Sequence, residues 1–155
     1  MKTTIRTEGF RELEQALAQI EKTATAKAIM RRSLIKSAEP MAALGQSLAP
    51  VGDSRQLAPS VGVSTRLSGR QRSLHRKMFR SDKATVEAFV GAGPLASAHN
   101  QEFGNINHGP QPFMRPAWDA EAMPTLARLG RIMWSEIEAT ARRAARRAAR
   151  LARKG

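Results

Sequence analysis

Residues 102–119 read EFGNINHGPQPFMRPAWD. Gly, Asn and Pro crowd positions 104–116, so this stretch cannot be regular structure. Pro116 suits the first position of a following helix, with Asp119 and Glu121 in its first turns. Phe103 and Phe113 are large apolar side chains in a segment that cannot cover them by itself. Pro110, Pro112 and Pro116 stiffen it and reduce the entropy lost on docking. Such a loop either folds back as a lid on its own core or stands as a preformed anchor for another subunit.

Downstream, Pro124 and Gly130 are expected to divide the helix into a short piece from Pro116 and a longer one from about Pro124. The longer piece presents Leu126, Leu129, Met133 and Ile137 as a core stripe with Trp134 beside it. Upstream, Leu95–Glu102 reads as a short helix after Gly93-Pro94, and Gly91-Ala92-Gly93-Pro94 as the exit from a strand. That strand is 84–91, with Val86, Ala88 and Val90 on one side. Val61, Val63 and Thr65 alternate with Gly62, Ser64 and Arg66 as an earlier strand. Residues 68–73 look like a loop, and 74–79 alternate as a further strand. Residues 50–60 are turn chemistry. Before them, Met30, Leu34, Met41, Leu44 and Leu48 mark one face of a helix that contains Pro40 and must end by Pro50. Phe10, Leu13, Leu17 and Ile20 mark an amphipathic helix over 9–21 with Thr7 as its N-cap, and Thr23 and Thr25 mark a break after it. The order predicts an α+β domain with a small antiparallel sheet, packed by two N-terminal helices and a long C-terminal one. No internal repeat is present.

The chain of 155 residues carries 26 Lys+Arg against 13 Asp+Glu, a net charge of +13. Its 41% hydrophobic content is enough to build a core. The last fourteen residues, RRAARRAARLARKG, hold six Arg, one Lys and no acid, which leaves +6 to residues 1–141. The division expected is a domain over 1–141 and an Arg/Ala-rich helical extension over 142–155. Ala and Arg are strong helix formers. Arg142, Arg146, Arg150 and Lys154 recur every four residues with Arg143 and Arg147 beside them. The resulting stripe can lie along phosphates or meet acids on a partner. No aromatic is interleaved, so nucleic acid would be held by its backbone, without sequence reading. A second basic cluster joins Arg131 to a hairpin-like stretch: Arg66, Arg70, Arg72, Arg76, Lys77, Arg80 and Lys83, against Asp82.

Cys is absent, which removes disulfide scaffolds, thiolate zinc sites and cysteine nucleophiles. No apolar run approaches the ~20 residues needed to span a bilayer, and the start has no secretory h-region. No membrane partner is expected. His99, Glu102 and His108 can be drawn as metal ligands, but a fuller set and its supporting shell are missing. Histidines near a turn are the plainer expectation. No nucleophile elbow, P-loop or paired-carboxylate signature appears. Neither an enzyme nor a cofactor is expected.

The segment AHNQEFG at 98–104, followed by PFMRPAWD at 112–119, resembles a family of small siphophage neck proteins, the tail-completion, head–tail joining or minor tail components. The resemblance extends to Gly9-Phe10-Arg11-Glu12-Leu13, Leu48-Ala49-Pro50-Val51, Leu57, Ser60 and Val90-Gly91. Two departures are Arg55-Gln56, where the family usually has Thr-Gly, and Ala98-His99, where it often has an aromatic. The resemblance implies a non-catalytic α+β virion protein in the neck between capsid and tail, made in a bacterial cytoplasm. It implies a homo-oligomeric ring of about six copies. Its neighbours would be a connector or head-closure ring and a tail terminator or tail tube, with packaged duplex DNA inside. Glu102, Phe103, Pro112, Phe113, Arg115 and Pro116 are the expected subunit or partner interface. Arg142, Arg143, Arg146, Arg147, Arg150 and Lys154 are the expected contacts to DNA or an acidic partner. The alternative is a sequence-independent nucleic-acid-binding protein using the same basic helix.

Overall fold

A computed structural model describes residue 15 and residues 23–52, 55–81 and 86–153. The elements are α1 (Thr23–Leu48), α2 (Leu57–Ser60), β1 (Gly62–Ser64), α3 (Gly69–Met78), β2 (Phe89–Gly91), α4 (Ala96–Phe103) and α5 (Met114–Ala152). The fold is α+β. Its sheet has two antiparallel strands, with Gly62 opposite Gly91, Val63 opposite Val90 and Ser64 opposite Phe89. The helix expected over 9–21 lies outside the described residues, apart from Gln15, which is helical.

Helices α1 and α5 form an antiparallel pair. Ile29 clusters with Met133 and Ile137, Arg32 reaches Glu136, Arg128 reaches Ser37, and Gly45 faces Met114. The buried side of α1 is made largely of small residues, with Ser33, Ser37, Ala38, Ala42 and Gly45 joining Ile29 and Met41. Small side chains let two helix backbones approach. A Cβ on Gly45 would stand 2.9 Å from Met114 Sδ and 3.3 Å from Val61 Cγ1. The expected stripe is therefore partly corrected. Met41 is buried, Met30, Leu34 and Leu44 are half-buried, and Leu48 is exposed. A pattern that scores apolarity alone passes over a face built for closeness.

Pro40 lies inside α1 as expected, and the helix ends just before Ala49-Pro50. Near that proline the Ser37 carbonyl accepts a 3.1 Å hydrogen bond from Arg128 Nε, whose guanidinium also donates to Glu121 and Thr125. At the far end Glu136 accepts from Arg32 at 2.8 Å. The Arg32 hydrogen bond, working against burial, holds the Glu136 carboxyl below its ordinary value. This pair is solvent-facing and is worth at most about 1 kcal/mol.

A two-stranded sheet is marginal alone, and here it leans on α1. Val61 is 2% exposed, and Gln46 Nε2 donates to the Val61 carbonyl at 2.7 Å. Val61, Ala49, Leu57 and Phe113 form a second core cluster.

Four further expectations are corrected. Thr23 and Thr25 lie inside α1 and make no break. Residues 69–78 are a helix, where loop and strand were expected. Ser68 Oγ accepts from Gln71 N and Gln71 Oε1 accepts from Ser68 N, a capping box that outweighs the alternation of 74–79. The later strand is confined to 89–91, and positions 84 and 85 of the expected strand lie outside the described residues. Finally, α5 is one helix of 39 residues, about 58 Å long. It starts at Met114, so Pro116 is its third residue. Pro124 and Gly130 do not divide it, because the carbonyl that Pro124 leaves without a donor belongs to exposed Ala120, within reach of water.

Candidate functional site

Helix α4 ends on Glu102-Phe103-Gly104, and each of these residues does a separate job. Gly104 has φ +77°, and a Cβ there would meet the His108 carbonyl oxygen and Pro110 N at 3.0 Å. Both facts demand glycine. Its N–H donates to Asn100 O at 2.8 Å, closing the helix. The chain then makes a tight turn in which Asn105 and His108 exchange backbone bonds, and Gln111 N returns to Gln101 O at 2.7 Å. This turn brings residues 113–115 back over the end of α4.

Glu102, 6% exposed, fills the place of an N-cap for α5 from another helix. Its Oε2 accepts from Phe113 N and Met114 N, both at 2.9 Å. Its Oε1 accepts from Arg115 N at 3.1 Å and from Arg115 Nε at 2.9 Å. Arg115 Nη2 donates back to the Glu102 carbonyl at 2.6 Å. The carboxylate thus satisfies backbone donors that a helix start leaves unpaired, at the end where the helix dipole favours an anion. Burial pushes its carboxyl upward. The N–H groups of Phe113 and Met114, the Arg115 side chain and the Arg115 N–H together outweigh that and hold it below the ordinary value.

The two phenylalanines part company here. Phe113 is 1% exposed in the cluster with Ala49, Leu57 and Val61. As an expected interface residue it is corrected: its ring plugs the chain's own core, and so is Glu102 turned inward. Phe103 is 58% exposed, with the Arg115 guanidinium 5.1 Å from its ring centroid and the His99 ring tilted against it at 5.0 Å. Pro112, Arg115 and Pro116 are exposed as well. Trp118 is 60% exposed and lines the same open groove of about 1030 Å³, together with Phe103, Leu74, Val90 and Arg115. One phenylalanine of the loop is therefore folded back on the chain's own core, and the other stands exposed.

Trp118 and Leu74 were not among the expected site residues. Helical spacing from Arg115 signals the first, and the Ser68–Gln71 capping box signals the second. His99, Glu102 and His108 do not gather, and no cluster of metal-ligating side chains occurs among the described residues. Glu102 is fully engaged by its hydrogen bonds. No helix among the described residues is long and apolar enough to cross a membrane.

The basic end of α5 continues unbroken from the packed part of the helix, and residues 141–153 are all exposed. Arg142, Arg143, Arg146, Arg147 and Arg150 lie on it, and Lys154 lies outside the described residues. Glu138 approaches Arg142 only at 4.0 Å, with both side chains solvated. Comparisons with protein-family models, with curated proteins and with solved structures return no match.

Proposed function

We propose that this chain is a structural virion protein of a tailed phage or phage-like particle, forming a ring at the head–tail junction. The observation that carries it is the pair Phe103 and Trp118, each more than half exposed on a scaffold fixed by the Glu102–Arg115 bonds. Large aromatics held rigidly at a groove mouth are the usual anchors of protein interfaces. They lie within the segment that carries the resemblance to neck proteins. In this role the groove receives a neighbouring subunit. Connector or head-closure and tail-tube rings lie above and below, in the virion neck. The protein performs no catalysis.

Replacing Phe103 and Trp118 by Asp tests the assignment. The variant is expected to keep the thermal stability of the parent and to lose its self-association in sedimentation velocity. An unaltered sedimentation profile rejects the assignment.

The exposed Arg tail favours one second role, backbone binding to nucleic acid. A dedicated binder using the seven tail cations would draw about 6 units of log–log salt slope on duplex DNA from the tail, whereas a neck protein whose tail meets an acidic partner ring draws little of its slope from it. Replacing Arg142, Arg146 and Arg150 by Gln is expected to leave stability within about 0.5 kcal/mol, since these side chains are exposed and the Arg142–Glu138 approach at 4.0 Å is solvated. It is expected to reduce assembled particles or DNA retention. Unchanged values for both exclude a role for the stripe.

A further inference from the structure

Helix α3 has two working sides. Leu74, with Arg70 and Gln71, lines the aromatic groove. His75 is packed between the rings of Phe79 and Phe89, centroids 4.9 and 5.2 Å away, with Glu87 Oε1 3.4 Å from its Nε2. On another side Gly69, Arg72, Ser73, Arg76, Lys77 and Arg80 line a separate shallow concavity of about 440 Å³. Among the described residues that lining contains no acid and no apolar side chain. All four cations are exposed, and none is ion-paired with a described acid. The scaffold beneath is fixed by the capping box at Ser68 and by a 3.3 Å bond from Arg72 Nη2 to the Leu67 carbonyl.

We propose that this concave face binds the phosphate backbone of duplex nucleic acid, independently of sequence and of the Arg tail of α5. Arg72 and Arg76 are one helical turn apart, about 6 Å along the axis. Arg80 continues the row beyond the helix end, Lys77 adds a mobile charge, and Ser73 adds a hydroxyl donor. Guanidinium groups converging with a hydroxyl suit phosphate oxygens. No aromatic among the described residues lines the concavity, so bases are not stacked or read there. A lipid surface would instead engage a broad apolar face flanked by cations. Of the described apolar side chains on and just after α3, Leu74 belongs to the groove and the half-exposed Phe79 ring lies against His75, so Met78 alone stands free and makes no broad face. The site does not depend on the ring-forming role, and its test is separate from the self-association test.

The measurement is fluorescence anisotropy of a random-sequence duplex titrated with the full chain between about 50 and 200 mM NaCl. The parent carries Arg142, Arg143, Arg146, Arg147, Arg150, Arg153 and Lys154 replaced by Gln, which removes all seven tail cations. This parent is expected to retain salt-dependent binding. Adding Arg72→Gln, Arg76→Gln and Arg80→Gln is expected to reduce the magnitude of the log–log slope by about 2.7. Arg72→Lys, Arg76→Lys and Arg80→Lys together are expected to keep it. An unchanged slope in the Gln variant overturns the proposal. So does equal loss in the Gln and Lys variants, which would signal a structural role. Lost binding to phosphatidylglycerol–phosphatidylcholine vesicles with duplex binding intact also overturns it.

Discussion

Replacing Glu102 by Ala destabilises the fold by about 3 kcal/mol, because it strips the acceptor from backbone N–H groups at the start of α5 and from the Arg115 guanidinium together. In a chain of this size the melting temperature falls by roughly 10 °C. Glu102→Gln retains the shape but turns an NH2 group toward donors, and is expected to lose more than half of the same stability. Arg115→Ala removes a half-exposed side chain and leaves the three backbone bonds to Glu102 in place, so its effect is near 1 kcal/mol. Thermal melts read by circular dichroism distinguish the three. A Glu102→Ala melt within about 2 °C of the parent, less than 1 kcal/mol, contradicts the capping role.

The same carboxylate sets a pH dependence. Its folded pKa lies below the unfolded one, so its contribution is fully present above the ordinary glutamate value of 4.5. The contribution is lost as pH falls through the lower folded value. The parent should therefore lose stability on acidification below that point more steeply than Glu102→Gln.

The second large effect is at Phe113. Phe113→Ala opens a cavity among Ala49, Leu57 and Val61 and is expected to destabilise by about 3–5 kcal/mol. Phe103→Ala, ten positions earlier, is expected to change stability by no more than about 0.5 kcal/mol, since that ring faces solvent over a guanidinium. Urea melts of the two variants make the comparison. Equal losses would mean that residues 102–119 act as a simple lid.

How far the sequence foretold this fold differs from element to element. Helix α1 with Pro40 inside, α4, the pairing partners around Val63 and Val90, and the helical tail all follow from periodicity and helix propensity. The helix α3 does not, because Leu74, Arg76 and Met78 alternate as a strand would. Only the local Ser68–Gln71 bonds tip the balance. The unbroken α5 is likewise missed, since Pro124 and Gly130 each disfavour helix, and packing of Met133 and Ile137 on Ile29 overrides them. At the site, the Glu-Phe-Gly and Pro-Phe-Met-Arg-Pro runs are visible as unusual. Which Phe faces inward depends on Gly104 and the Gln111–Gln101 bond returning the chain, and spacing carries no record of that.

Native mass spectrometry of the unmodified chain at rising concentration addresses the ring assignment most directly. A closed oligomer of about six copies, lost when Phe103 and Trp118 become Asp, is the expected result. A particle that remains at 17.0 kDa throughout contradicts it.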